Sequence, residues 1–283
     1  MFSKFKQPAL LALAIFLPLC GFAGLFNIGV AFDAEMNDEY KSAFTDAVTF
    51  WESKITGYRV NGLNGITINA EVSYIDGVYG VLGSAGPTNV AFGTVLLDGD
   101  AEVSRVCYST QGRMTFDSAD VDMMINNGSW GEVIRHEMAH VIGFGALWGI
   151  DLFGNGILYN DFYDAGSGEY TGAAGLAAYQ AEFDPDATFV PVELEGGTGT
   201  ADGHWDEVYG GASLTGIATL SGDDMANELM TGWLTPPTFL SDTTLGQFYD
   251  LGYTVVPEPS SIMLMASISL ATLWIRRRYS YMV

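Results

Sequence analysis

Residues 25–32 alternate between apolar and polar, with Phe26, Ile28, Val30 and Phe32 on one side. That period of two predicts a half-buried strand. The period then lengthens. Tyr40, Phe44, Ala47, Val48, Trp51 and Ile55 recur at helical spacing, which predicts a helix over 37–55 stopped near Gly57. Alternation returns over 66–75, where Ile66, Ile68, Ala70, Val72 and Tyr74 share a face. Further strands are expected over 89–97 and 112–116, with glycine-rich turns between them. Residues 118–126 read as a short helix closed by Asn127-Gly128. Ser129 and Glu132 have the spacing of a capping box and would open a second long helix. Val133, Ile134, Met138, Val141 and Ile142 are its apolar content, and Gly143 can end it.

Beyond Gly143 the periods fade. The chain becomes rich in glycine, aspartate and aromatic residues, with short helices expected near 173–182 and 242–251. This order predicts an α+β protein in two lobes. A strand-rich N-terminal lobe (about 24–145) would hold a twisted mixed sheet and two long helices, and an irregular C-terminal lobe (about 146–256) would hold short ones. A length of 283 residues suits one large domain or one domain in two lobes.

The two ends follow different rules. Lys4 and Lys6 precede an apolar run from Ala9, and Gly21-Phe22-Ala23 offers small residues for cleavage. Residues 1–23 therefore read as a secretory signal peptide rather than a retained anchor. At the other end, Pro257-Glu258-Pro259 is followed by an apolar run from Ile262 to Ile275 and then by Arg276, Arg277 and Arg278. The run is short for a permanent span, since about 20 residues are usual. A basic cluster after it holds the C-terminus inside and leaves the preceding chain outside. Residues 257–283 resemble the PEP-CTERM sorting signal of Gram-negative bacteria. The resemblance implies export through the inner membrane, transient membrane association, and cleavage near Pro-Glu-Pro by a sorting enzyme, an exosortase. The mature body would span 24–256 and be secreted or held at the cell surface.

Charge narrows the partners. The chain carries 34 acidic against 11 basic residues, a formal net charge of −23. Only Lys41, Lys54, Arg59, Arg105, Arg113 and Arg135 of the basic residues lie in the body. Such a surface repels nucleic acid and suits a soluble exported protein. Calcium is a further possible ligand, with Asp117, Asp120 and Asp122 as candidates; helix capping and a solvated face compete for the same residues. Of two cysteines, Cys20 leaves with the signal peptide. Cys107 then stands alone as a buried free thiol, and no disulfide framework is available. Tyr159, Phe162, Tyr163 and Tyr170 are candidates for a substrate cleft or, with slightly better reason, for core packing.

The chemistry concentrates at His136-Glu137-Met138-Ala139-His140. Residues four apart share a helix face with Cβ atoms about 5–6 Å apart. Two imidazoles so placed can reach one zinc ion at about 2.0–2.1 Å. Glu137 then lies beside the metal, able to take a proton from water. The chain has only three histidines, so two of them on one capped helix have little bland use. A catalytic zinc needs a third protein ligand. His204, in Gly203-His204-Trp205-Asp206-Glu207, is the remaining histidine. An acidic third ligand is the rival.

These residues resemble the active-site helix of metzincins, whose motif runs His-Glu-x-x-His-x-x-Gly-x-x-His. His136, Glu137, His140 and Gly143 match it, whereas Ala146 stands where the third histidine is expected. The leishmanolysin family shows this departure, with an insertion before the third histidine, and His204 fits that pattern. Asn227-Glu228-Leu229-Met230-Thr231-Gly232 also resembles that family's Met-turn. The resemblance implies a two-lobed metzincin-like fold, one catalytic zinc held by His136, His140 and His204, Glu137 as general base, Met230 beneath the metal, and endopeptidase activity on protein or peptide substrates. The chain departs from the protozoan members in lacking a cysteine network and room for a long propeptide. Two other readings compete: a non-catalytic exported surface or biofilm-matrix protein, and a zinc peptidase of another clan.

Overall fold

The computed structural model describes residues 26–33, 36–96, 103–151, 154, 156–207 and 217–256. The expected signal peptide and the sorting tail lie outside the described residues. Among the described residues no helix is long and apolar enough to cross a membrane.

The protein is mixed α/β. It opens with β1 (Ile28–Phe32), α1 (Asp38–Lys54), β2 (Ile55–Tyr58), β3 (Ile66–Ser73), β4 (Gly83–Leu96) and β5 (Val103–Asp117). The helices α2 (Val121–Asn127) and α3 (Trp130–Ile142) follow. The remainder holds β6 (Glu169–Tyr170), α4 (Ala173–Glu182), β7 (Val190–Pro191), α5 (Asp242–Asp250) and β8 (Tyr253–Val255).

Four strands form the main sheet in the order β1-β3-β5-β4. The pairs β1–β3 and β3–β5 are parallel, and β4 runs antiparallel to β5. The sheet is therefore mixed, as expected. Both hairpin strands outrun the predicted 89–97 and 112–116, because long strands with weak alternation give little periodic signal. In β3 the predicted face is buried at Ile66, Ile68 and Ala70, but Tyr74 lies past the strand end and is 71% exposed.

The sheet and the two long helices share one core. Phe44, Ala47 and Trp51 of α1 are buried, as are Val133, Ile134, Met138, Val141 and Ile142 of α3. Two indoles join the helices: Trp51 Nε1 donates to the Arg135 carbonyl at 2.9 Å, and Trp130 Nε1 donates to the Tyr40 carbonyl at 3.1 Å. The expected capping box at α3 does not form. The Ser129 hydroxyl bonds to the Asn127 side chain, and Glu132 accepts instead from the Thr238 amide at 3.3 Å. Here tertiary contact wins over the local cap. Gly143 ends α3 at φ +133°, a conformation that disfavours any residue with a Cβ.

The expected role of Cys107 as a buried free thiol holds. Asn160 bonds its amide at 3.0 Å and its carbonyl at 2.9 Å, tying the irregular region to β5. Burial pushes the Cys107 thiol up to about 11. Tyr163 and Tyr170 are buried against Trp148 and so belong to the core, the favoured expectation for that cluster.

Candidate metal centre

Helix α3 presents His136, Glu137 and His140 over its last turns, against the sheet. Its end is held by Tyr253, whose hydroxyl donates to the Ile142 carbonyl at 2.7 Å. After Gly143 the chain turns away, and it returns at 191–207 with His204. There Glu193 and His204 lie opposite each other on two antiparallel segments: the Glu193 amide donates to the His204 carbonyl at 3.0 Å, and the Asp206 amide donates to the Pro191 carbonyl at 3.0 Å. Trp205 joins this pair to the Met230 segment through its amide and the Met230 carbonyl, 3.0 Å apart.

The three imidazoles converge. Their Nε2 atoms are 3.1 Å apart for His136–His204, 3.1 Å for His136–His140, and 3.0 Å for His140–His204. Each Nδ1 faces a backbone carbonyl: Leu229 at 2.7 Å for His136, Phe144 at 3.0 Å for His140, and Thr200 at 2.8 Å for His204. A carbonyl only accepts, so every Nδ1 carries its proton and every Nε2 is left with a lone pair. Three lone pairs pointed at one another repel unless a cation stands among them. This donor set fits a metal ion, and three neutral imidazoles with fixed tautomers suit zinc.

Burial keeps the rings neutral. It lowers His136 to about 4 and His204 to about 3, and holds His140 well below its ordinary value, with neighbouring imidazoles adding to the effect on His140 and His204. Glu137 is also buried, and burial raises its carboxyl to about 8. A dication nearby would pull that value back down. Strand β4 packs directly on this carboxylate. A Cβ placed on Gly83 would lie 2.8 Å from Glu137 Oε1, so glycine there leaves room for the acid.

All three expected metal ligands thus meet at one point, with Glu137 on the same helix. Met230 is fully buried, and its segment supplies the Leu229 carbonyl that orients His136. Glu207, an acidic residue three positions after His204, falls in a different group of side chains, with Glu193 and Asp206. The aspartates considered for calcium each accept from protein donors, although Asp120 Oδ2 is buried with no hydrogen-bond partner. Asp117 accepts from the amides of Asp76, Gly77 and Ala119, which lowers it to about 2, and Asp122 accepts from the Tyr40 hydroxyl at 3.1 Å. Asp120 takes the Tyr79 amide at 3.0 Å.

The sequence left the three anchoring carbonyls and Gly83 unseen, because no local pattern marks contacts made across the fold. It also left the grouping of Glu193 with Asp206 and Glu207 unseen, although Asp206 and Glu207 directly follow the His204-Trp205 pair.

No protein-family model matches the chain, and no curated protein matches it.

Proposed function

We propose that this chain is a zinc-dependent endopeptidase exported by a Gram-negative bacterium. The observation that carries the reading is the convergence of three Nε2 lone pairs beside a buried glutamate on one helix. His136, His140 and His204 would hold the ion. The bound zinc would act as a Lewis acid, polarising a carbonyl and acidifying water. Glu137 takes a proton from the attacking water on its carboxylate and passes it to the departing amine nitrogen. The β4 backbone at Gly83 fixes where that carboxylate lies. The Leu229, Phe144 and Thr200 carbonyls hold the imidazoles in one tautomer and orientation, a role that raises ligand basicity.

The substrate class follows from the resemblance of the α3 motif and the Met230 segment to leishmanolysin-like metzincins, and would be protein or peptide. The metzincin-like two-lobed fold, the removal of residues 1–23, and the processing of 257–283 by an exosortase belong to the same proposal. The test is a protease assay on the purified full chain with and without a strong chelator. Activity should vanish on chelation and return with zinc. Proteolysis that is intrinsic to the chain and survives removal of all metal would overturn the reading.

A further inference from the structure

A second group of ligating atoms lies beside the first. One carboxylate oxygen each from Glu193, Asp206 and Glu207 falls within 4.8 Å of the others. Glu193 is 2% exposed and Glu207 1% exposed. Glu193 Oε1 accepts from the Glu195 amide, but Oε2 is buried with no hydrogen-bond partner. A buried carboxylate oxygen left unsatisfied is costly, and carboxylates gathered together repel. A cation among them removes both costs.

We propose that Glu193, Asp206 and Glu207 form a second metal site, distinct from the histidine centre, for a calcium ion. The donors are all carboxylate oxygens, which suit a hard cation and not zinc. Calcium accepts several carboxylate oxygens in flexible geometry at about 2.3–2.6 Å. Magnesium demands a tighter, near-ideal octahedron at about 2.0–2.1 Å.

The location gives the ion a purpose. Glu193 lies on the segment opposite His204, and Asp206 and Glu207 follow His204 along the chain. A Cβ placed on Gly232 would lie 3.9 Å from Glu193 Cγ, so the segment after Met230 packs on the same side chain. Calcium here clamps together the two segments that set the position of His204. The calcium site stands apart from the zinc reading; only its consequence for His204 rests on that reading.

The experiment uses the full chain, stripped of metal and then divided into a zinc-free sample and a sample reloaded with one equivalent of zinc. Calcium chloride is titrated into both by calorimetry, and the melting temperature is followed in parallel. Both samples should take up one calcium per chain with a rise in melting temperature. Glu193→Gln, which keeps the shape, should weaken calcium binding by about tenfold or more. Asp206→Asn, at a partly exposed position, should weaken it in the same direction and serves if Glu193→Gln fails to fold. A flat titration up to about 10 mM calcium, beyond the weakest range of extracellular calcium modules, would overturn the site. So would unchanged affinity in the folded variants. Stabilisation by Glu193→Gln in a wild-type protein that ignores calcium would show that the carboxyls share protons instead. Each of these failures leaves the zinc reading standing, because calcium uptake is scored without zinc as well.

Discussion

The two halves of the molecule hold their site residues by different means. From Ile28 to Ile142 the chain relies on strand ladders and two long helices, and two of the three histidines ride on one of those helices. Among the described residues from Gly143 to Val255 regular structure is sparse, and buried or half-buried carboxylates organise the loops. Asp250 accepts from the Ala174 and Gly175 amides and from the Tyr170 hydroxyl. Glu182 accepts from the Asp242 and Thr243 amides. Glu228 accepts from the Met230 and Ser241 amides and from the hydroxyls of Ser241 and Thr244. Thr244 in turn accepts from Trp205 Nε1 at 2.9 Å, so Glu228 links the His204 segment to the Met230 segment. The comparison teaches that part of the acidic excess is internal scaffolding as well as surface charge. It also separates a rigid pair of ligands from a third whose position depends on side-chain wiring.

The sharpest way to break that wiring is Glu228→Ala. It strands four donors in a buried site, at a cost of about 1–3 kcal/mol for each group left unsatisfied. We expect a loss of about 4 kcal/mol or more in unfolding free energy, measured by denaturant titration. An equivalent change at the partly exposed Glu71, which serves Arg113 and Thr115 at the sheet surface, should cost about 1 kcal/mol or less. Equal costs would erase the contrast between the halves.

His204→Ala comes next. It removes the ligand supplied by the irregular half and leaves α3 intact. Zinc affinity should fall by more than about a hundredfold, beyond the effect of losing an orienting partner, while helix content measured by circular dichroism stays the same. Retained zinc in this variant would point to an acidic third ligand.

Gly83→Ala should have a smaller effect, confined to the regular half. The added methyl meets the Glu137 side chain first, with the three nearest atoms all belonging to it. We expect kcat to fall by about tenfold to a hundredfold with zinc still bound, since misplacement by about 1 Å costs that much. Loss of metal would show that β4 supports the histidines instead.

The mildest effect is on pH dependence. Burial raises Glu137 from 4.5 to about 8 in the folded metal-free protein, so the folded state binds the extra proton. Stability therefore falls as pH rises from about 4.5 to about 8. Glu182, raised to about 7, adds in the same direction. The histidines act oppositely. His136 and His204 drop from 6.5 to about 4 and about 3, so stability is lost as pH falls below 6.5 through those values. Metal-free Glu137→Gln should show a shallower decline than the parent as pH rises toward about 8, a steeper loss as pH falls from 6.5 to about 4.5, and the same decline below about 4.5, read from thermal melts across pH.

How far the sequence reveals the molecule divides along the same line. Helix α1 matches the predicted 37–55 to within a residue at each end, because its periodicity is local, and α4 matches 173–182 although the periods fade there. His136, Glu137 and His140 were legible for the same reason, their spacing being a property of one helix. His204 was reached through the scarcity of histidine and the family resemblance, not through any pattern around it. Glu193 was not legible at all. It sits in a stretch with no period, and its significance comes from a pairing with 202–206 that only the folded chain displays. The failed cap at Ser129 shows the converse, a local signal overruled by the Glu132–Thr238 contact.

The central claim is that Glu137 serves as a proton carrier beside a metal held by three histidines. Glu137→Gln in the full chain, assayed for proteolysis and for bound zinc on the same preparation, tests it most directly. The expected result is one zinc per chain, as in the parent, with proteolysis reduced by about a hundredfold to ten-thousandfold. A variant that loses its zinc, or that cleaves substrate at the parental rate, would contradict the assignment.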